Sequence, residues 1–181
     1  MIIRLMISPD IQEYFDREAF DPEHGYVELK KRDEKIRHIH LHVAKAAMKL
    51  AQRDERTIVE EVIPDTAMYR SQMINIIGSE IVNDNPRAFP KKFISRVEPA
   101  YRELVTLETM ALAGGHLATY LERKEHDQPA YEFNLVEATV KLHNVTMDLG
   151  ERFGVDVDRA HLKRLESQMG RPIPADLVGQ N

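Results

Sequence analysis

Apolar residues recur at intervals of three and four along most of the chain, and this periodicity constrains the fold more than any other feature. One stripe with this spacing contains Ile36, Ile39, Val43, Ala46 and Leu50, which predicts the buried face of a helix. No run shows the strict alternation, bounded by hairpin turns, that is typical of half-buried strands. The sequence therefore predicts an all-α protein. We expect helices at about 8–19, 27–55, 57–81, 98–125, 129–153 and 157–169.

Several of the predicted helix boundaries carry local signals. Thr57 and Glu60 have the spacing of a capping box, in which each side chain bonds the other residue's backbone amide. Pro99 and Pro129 each suit the first turn of a helix, where a missing amide hydrogen costs nothing. Pro64 either kinks a helix or marks its true first turn. Glycines suit helix boundaries at three further positions, Gly25, Gly154 and Gly170.

A weak internal duplication relates two parts of the chain. The segments Glu61–Ile81 and Glu137–Val157 align without gaps, and the alignment places Gly78 opposite Gly154. Apolar helices also resemble one another by chance, so duplication and coincidence both remain open. If the duplication is real, two helical hairpins pack as a pseudo-symmetric bundle, flanked by N- and C-terminal helices.

This interpretation divides the chain into five parts. They are an N-terminal segment, a first hairpin, a connector, a second hairpin with a C-terminal helix, and a tail, at residues 1–26, 27–82, 83–97, 98–172 and 173–181. The stretch "RPIPADLVGQN", which covers this tail and the two residues before it, is expected to be extended.

Charge and cysteine content exclude several classes of function. The formal net charge is -5, so no overall field attracts nucleic acid or acidic lipid, and any anion must be held by a local cluster. The chain has no cysteine, which removes disulfides, thiolate zinc sites and thiol nucleophiles. The apolar run at the start of the sequence is too short for a signal peptide or a membrane-spanning segment. We expect a cytoplasmic protein without membrane or nucleic-acid partners.

A polar stripe lies beside the buried face of the helix predicted at 27–55. It consists of His38, His42, Lys45 and Lys49, and we call it the basic stripe. Two histidines four residues apart can share a metal ion, although the lysines of the same stripe would repel a divalent cation. The stripe can also face an anion, or it can be a half-exposed edge without a ligand. The sequence leaves these three interpretations open.

A second polar row follows the helix predicted at 129–153, at Glu137, Lys141, Asn144 and Asp148. Apolar residues occupy both sides of this helix, which predicts a central place in the bundle. They are Phe133, Val136, Val140 and Met147 on one side and Leu135, Leu142 and Leu149 on the other. Polar groups on a central helix are costly unless they find a partner or a ligand.

Parts of the chain resemble a known family. The similarity is carried by "LHNVTMDLGERFGVDVDRAHLKRLESQMGRP" at Leu142–Pro172, above all by its "GERFGVDVDRA" turn, by "VIPDTAMYRSQMINIIGSEI" at Val62–Ile81 and by "LHVAKAAMKLA" at Leu41–Ala51. These segments resemble the helices of MazG-like, all-α nucleotide pyrophosphohydrolases. The resemblance implies a helical fold that binds a nucleoside triphosphate and cleaves between its α and β phosphates, using Mg²⁺ held by carboxylates of facing helices. A homodimer is also expected by resemblance.

The resemblance implies roles for particular carboxylates. Glu61, Asp65 and Glu137 become the candidate catalytic residues, and Glu60, Glu61 and Asp65 the candidate Mg²⁺ ligands. The basic stripe of His38, His42, Lys45 and Lys49 would contact phosphates. Because lysines and a histidine stand where the family carries its first acidic motif, we favour binding of a nucleotide or other phosphate-bearing ligand slightly over retained hydrolysis.

Two other functions remain open. The chain can be a non-catalytic interaction or structural protein, in which the basic stripe and the polar row pair as an internal seam. It can also be a metalloprotein that uses His38 and His42 with a third histidine, for which the candidates are His116, His126 and His143.

Overall fold

The computed structural model describes residues 9–19, 32–78 and 94–178, and within these ranges the chain is helical, without strands. The predicted all-α class is confirmed. In chain order the α-helices are α1 Pro9–Ala19, α2 Arg32–Ala51, α3 Glu55–Thr57, α4 Ile63–Ile77, α5 Pro99–Glu125, α6 Glu132–Phe153, α7 Val157–Met169 and α8 Ala175–Val178. A π-helical segment, Ile58–Val62, joins α3 to α4, and a 3₁₀ turn, Ile94–Arg96, precedes α5.

Four long helices form a bundle in which α2 packs on α5, α5 on α6, α6 on α4 and α4 on α2. The helices α1 and α7 then pack against the outer side of α4. The buried stripe predicted on α2 is confirmed, since all five of its residues are buried. The most extensive contact of α2 is with α5 rather than with α4, and the division into two repeated hairpins stays a prediction.

The helix surrounded on all sides is α4, whereas the sequence predicts a central place for the helix that becomes α6. Every residue from Ile63 to Ile74 is buried. On α6, Leu135, Leu142 and Leu149 are fully buried as expected. On its other side Val140 is buried and Val136 packs against the core, but Phe133 is 64% exposed and Met147 44% exposed, so the second apolar face is buried only in part.

The connection after α2 differs from the predicted one. The helix ends at Ala51 rather than near 55, because Arg53 adopts a left-handed backbone conformation with φ of 60°. Asp54 then caps α3, and its carboxylate accepts a hydrogen bond from the Thr57 amide at 2.9 Å. The predicted capping box of Thr57 with Glu60 is therefore wrong, and Glu60 instead pairs with Arg56.

Pro64 lies in the first turn of α4, which is one of the two predicted alternatives. It is the second residue of α4, which directly follows the π-helical segment. Proline lacks an amide hydrogen and crowds the carbonyl four residues earlier, and the wider π turn accommodates both effects. Pro99 starts α5 as predicted. Pro129 does not start a helix: α6 begins at Glu132, and the Pro129 carbonyl accepts a hydrogen bond from Arg123 instead.

Glycines end the later helices as predicted. Gly154 and Gly170 have left-handed φ angles of 64° and 66°, which favour glycine because it has no Cβ. Beyond them, residues of the tail form α8 rather than an extended segment, since Ile173 is buried in the core and leads the chain into this last turn. The predictions for Gly25 and for residues 27–31 and 83–93 lie outside the described residues. Among the helices that the structure describes, none is both long and apolar enough to cross a membrane.

Candidate functional site

A cleft of about 380 Å³ lies beside α2 and α4 and is bounded by α1 and α7. All four residues of the basic stripe line it, and Arg164 of α7 joins them. The stripe faces the cleft because its residues follow one another at intervals of four, three and four, which keeps them on one side of α2. The remaining lining residues are Phe15, Ala46, Asp65, Met68, Tyr69, Gln72 and Gln168.

The two histidines of the stripe stand next to each other. The ring centres of His38 and His42 are 4.3 Å apart, and the His42 ring lies 5.5 Å from that of Tyr69. Burial lowers the pKa of both imidazoles, and the nearby charge of Lys45 lowers it further. Both rings are therefore neutral at pH 7, where each can accept one hydrogen bond and donate another.

The two lysines of the stripe differ in their partners. The Lys49 ammonium lies 2.5 Å from a carboxylate oxygen of Glu61, and this hydrogen bond lowers the pKa of Glu61. Lys45 is exposed and makes no hydrogen bond or ion pair with any residue in the described part of the chain. Lys45 is thus a cation at the cleft that is available to an anion.

The opposite wall of the cleft carries a second ion pair. Arg164 donates from Nε to Asp65 at 2.8 Å, with a longer contact of 3.4 Å from Nη2 to the second carboxylate oxygen. Burial raises the pKa of Asp65, while the Arg164 guanidinium acts in the opposite direction. Three cationic side chains, those of Lys45, Lys49 and Arg164, thus face two carboxylates. The cleft is locally positive in a chain whose net charge is -5.

Glu137 does not join Glu61 and Asp65. It lies on α6, where it pairs with Lys141 at 3.0 Å, and it does not line the cleft. On the same helix Asp148 accepts a hydrogen bond from Thr106 of α5 at 2.9 Å and pairs with Arg152. Three members of this row, Glu137, Lys141 and Asp148, thus have partners on α6 and α5, and the proposed seam between the row and the basic stripe is not formed.

The three candidate Mg²⁺ ligands do not converge. Glu60 is exposed and pairs with Arg56, whereas Glu61 and Asp65 pair with Lys49 and Arg164 as described above. Magnesium requires several oxygens in near-octahedral geometry, and these carboxylates are each held by a different cation. They do not form a magnesium site as they stand, and the expectation of a Mg²⁺ cofactor stays an untested prediction.

The histidine candidates for a metal site are also separated. His143 lies on α6 near Arg70, and His126 caps the C-terminal end of α5. His116 lies in the middle of α5, and none of these three lines the cleft. Over residues 9–19, 32–78 and 94–178, no three His, Asp or Glu side chains come together in a way that could hold a metal ion.

Most of the residues that α4 and α7 contribute besides Asp65 were not predicted from the sequence. Arg164 and Gln168 are four residues apart on one face of α7, and this spacing is the one local signal for them. Tyr69 and Gln72 lie within a helix that is buried throughout, where sequence gives no reason to separate a cleft residue from a core residue. Comparison of the chain with protein-family models, with curated proteins and with solved structures finds no match.

Proposed function

We propose that the cleft binds an anionic small molecule that carries phosphate, with nucleotides as the leading candidates. The observation that carries this proposal is that the whole basic stripe of α2 and Arg164 of α7 line the same cleft. Lysine binds phosphate as a point charge, and arginine can offer two parallel hydrogen bonds. The resemblance to MazG-like proteins supports a nucleotide as the ligand class.

The cleft also offers a surface for the uncharged part of such a ligand. Its volume of about 380 Å³ lies within the range of small-molecule sites, roughly 300–1,000 Å³. Phe15, Met68 and the ring of Tyr69 provide apolar wall, and Gln72 and Gln168 provide amide groups. A few polar groups on an apolar wall can orient a ligand such as a nucleotide base.

Binding fits the geometry better than hydrolysis does. To hold a metal ion or activate water, Glu61 and Asp65 would have to leave Lys49 and Arg164, and Glu137 lies outside the cleft. A phosphate group would compete with the same two carboxylates for the same two cations. The resemblance also implies hydrolysis of nucleoside triphosphates to a monophosphate and pyrophosphate. This remains a more specific proposal than binding.

The proposal is tested by replacing Lys45 and Lys49 together with alanine. A thermal-shift panel of inorganic phosphate, pyrophosphate and nucleoside mono- and triphosphates would compare this variant with the unmodified protein. We expect ligand-induced stabilisation in the unmodified protein and a loss of affinity of about tenfold or more in the variant, since two phosphate contacts are removed. The Tm without ligand should change little, because an exposed ion pair contributes only about 0–1 kcal/mol.

The matched control is Lys163→Ala, which removes an exposed lysine of α7 that does not line the cleft. It removes one positive charge from the same protein and should leave the ligand-induced shift unchanged. Loss of stability in the double variant without any change in ligand affinity would contradict the proposal. No ligand-induced shift anywhere in the panel would also contradict it.

A role in protein interaction has its own supporting observation. Large apolar side chains are exposed on the adjacent helices α2 and α5, namely Leu41, Met48, Tyr101, Leu104 and Leu112. An exposed apolar surface of this kind is typical of interaction sites. We propose self-association as the second candidate and would measure it by sedimentation equilibrium, with Leu104→Glu as the variant. A monomer at all concentrations would contradict it.

A further inference from the structure

A buried arginine lies outside the cleft, in the centre of the fold. Arg70 of α4 is 2% exposed and is among the largest fully buried side chains. Its Nη1 lies 3.5 Å from Nδ1 of His143, at the limit of a hydrogen bond. Its Nε and Nη2 have no hydrogen-bond partner in the described part of the chain. Buried donors normally have partners, so two unmet donors on one charged group need an explanation.

His161 of α7 adds an unmet acceptor to the same region. The amide nitrogen of Gln12 donates to Asp16 at 2.8 Å, so its amide oxygen accepts from Nε2 of His161 at 3.1 Å. The ring proton therefore sits on Nε2, which leaves Nδ1 as an unprotonated acceptor, and Nδ1 has no partner within the described ranges. The charge of Arg70 acts on both His143 and His161, which places α4, α6 and α7 around one buried cation.

The positive charge of Arg70 is poorly compensated. Burial lowers its pKa to about 10, so the guanidinium is still protonated at neutral pH. Asp158, in the first turn of α7, acts on it electrostatically but makes no hydrogen bond to it in the described part of the chain. The two histidines are neutral at pH 7, because burial and Arg70 lower their pKa values to about 4 and about 3. Neither ring adds a positive charge that would attract an anion, so the attraction comes from Arg70 alone. Leaving a buried ion without a partner is strongly destabilising.

We propose that Arg70 holds a small monovalent anion of the size of chloride, bound by Nε and Nη2 between α4, α6 and α7. A single negative charge offsets the poorly compensated positive charge of Arg70, and two adjacent N–H groups are donors that suit such an ion. The depth of the site excludes a ligand with several phosphates. The site is independent of the proposed phosphate cleft, which Arg70 does not line.

The test compares the Tm of the full chain in sodium chloride and in sodium gluconate at equal ionic strength, because gluconate is a much larger anion than chloride. We expect chloride to raise the Tm above the gluconate value by roughly 3–5 °C for each tenfold increase beyond its Kd. In Arg70→Met this difference should disappear, since the methionine carries no charge and no donor. Replacing a buried ion with an apolar residue of similar volume is usually tolerated.

A second variant keeps the test informative if Arg70→Met does not fold. Asp158→Asn removes the nearby negative charge that competes with an anion, so the chloride-dependent shift should become larger than in the unmodified protein. An equal Tm in the two salts, or a shift that Arg70→Met retains in full, would overturn the proposal and leave water as the partner of Arg70. A shift that does not grow in Asp158→Asn would also overturn it.

Discussion

At the scale of single residues, the proposed anion binding should depend on pH through the two histidines of the cleft. His38 and His42 have pKa values lowered first by burial and then by neighbouring positive charges, which include Lys45 and, for His42, Arg164. A bound anion would oppose these effects and favour the charged imidazolium. Binding should therefore take up protons, and affinity should rise as the pH falls below the ordinary histidine value of about 6.5.

We predict that sulfate, whose charge is constant over this range, binds about three to ten times more tightly at pH 5.5 than at pH 7.5. Isothermal titration calorimetry at fixed ionic strength measures the two affinities. The double variant His38→Gln and His42→Gln should show a flatter profile, whereas His126→Gln, at the exposed end of α5, should behave like the unmodified protein. An affinity that is independent of pH in the unmodified protein would rule out a role for these rings.

At the scale of the helices, the turn between α6 and α7 depends on one glycine. A Cβ added to Gly150 would lie 2.4 Å from Cγ2 of Val157, which is too close for any real contact. Gly115, within α5, has open space around it and is exposed. Alanine substitutions at these two positions form a matched pair, because each replaces a glycine within a helix.

We predict that Gly150→Ala lowers the free energy of unfolding by about 1–3 kcal/mol, because α6 and α7 must move apart. Gly115→Ala should raise it by about 0.5–1 kcal/mol, since alanine restricts the unfolded chain and favours a helix. Denaturant unfolding measures both values. If Gly150→Ala is as stable as Gly115→Ala, the close approach of the two helices is not as described.

The helices themselves were largely predictable because their signals are local. The periodicity of the apolar residues from Ile36 to Leu50 predicts which face of α2 is buried, and all five of these residues are buried. The start of α3 was not predictable with the same certainty. Thr57 was the predicted cap, but the chain turns at Arg53, which has a left-handed conformation, and Asp54 caps α3 instead.

At the scale of the whole molecule, buried neutral histidines should make the fold sensitive to acid. The pKa of His143 is lowered to about 4 and that of His161 to about 3, mainly by burial. In the unfolded chain both return to about 6.5. Below that pH the unfolded state binds protons that the folded state does not, so stability is full above about pH 6.5 and is lost as the pH falls toward 4 and 3.

For His161 alone we predict a loss of about 2–3 kcal/mol in the free energy of unfolding between pH 7 and pH 4.5. Asp16 and Asp158 have raised pKa values and act in the opposite direction, so the measurement must compare variants rather than a single profile. His161→Gln should lose less stability than the unmodified protein over this range, and His126→Gln should lose the same amount. Identical profiles for all three proteins would contradict the assignment.

The candidate site could be predicted only in part, because several of its residues are brought together by the packing of different helices. The basic stripe was predictable because its four residues share one helix and one face. Arg164 reaches the cleft only because α7 packs back against α4. Glu137 was grouped with Glu61 on the strength of aligned positions, but α6 directs it toward Lys141. Such placements depend on how helices pack, which periodicity does not report.

The central claim is that the cleft binds an anion through Lys45 and through Lys49 and Arg164, which otherwise pair with Glu61 and Asp65. The most direct measurement is the affinity for pyrophosphate by isothermal titration calorimetry, without added metal, for the unmodified protein, Lys45→Gln and Glu61→Gln. We predict that Lys45→Gln binds more weakly and Glu61→Gln about fivefold more tightly, because Lys49 is released to the ligand. Equal affinities for all three proteins, or weaker binding by Glu61→Gln, would contradict the account.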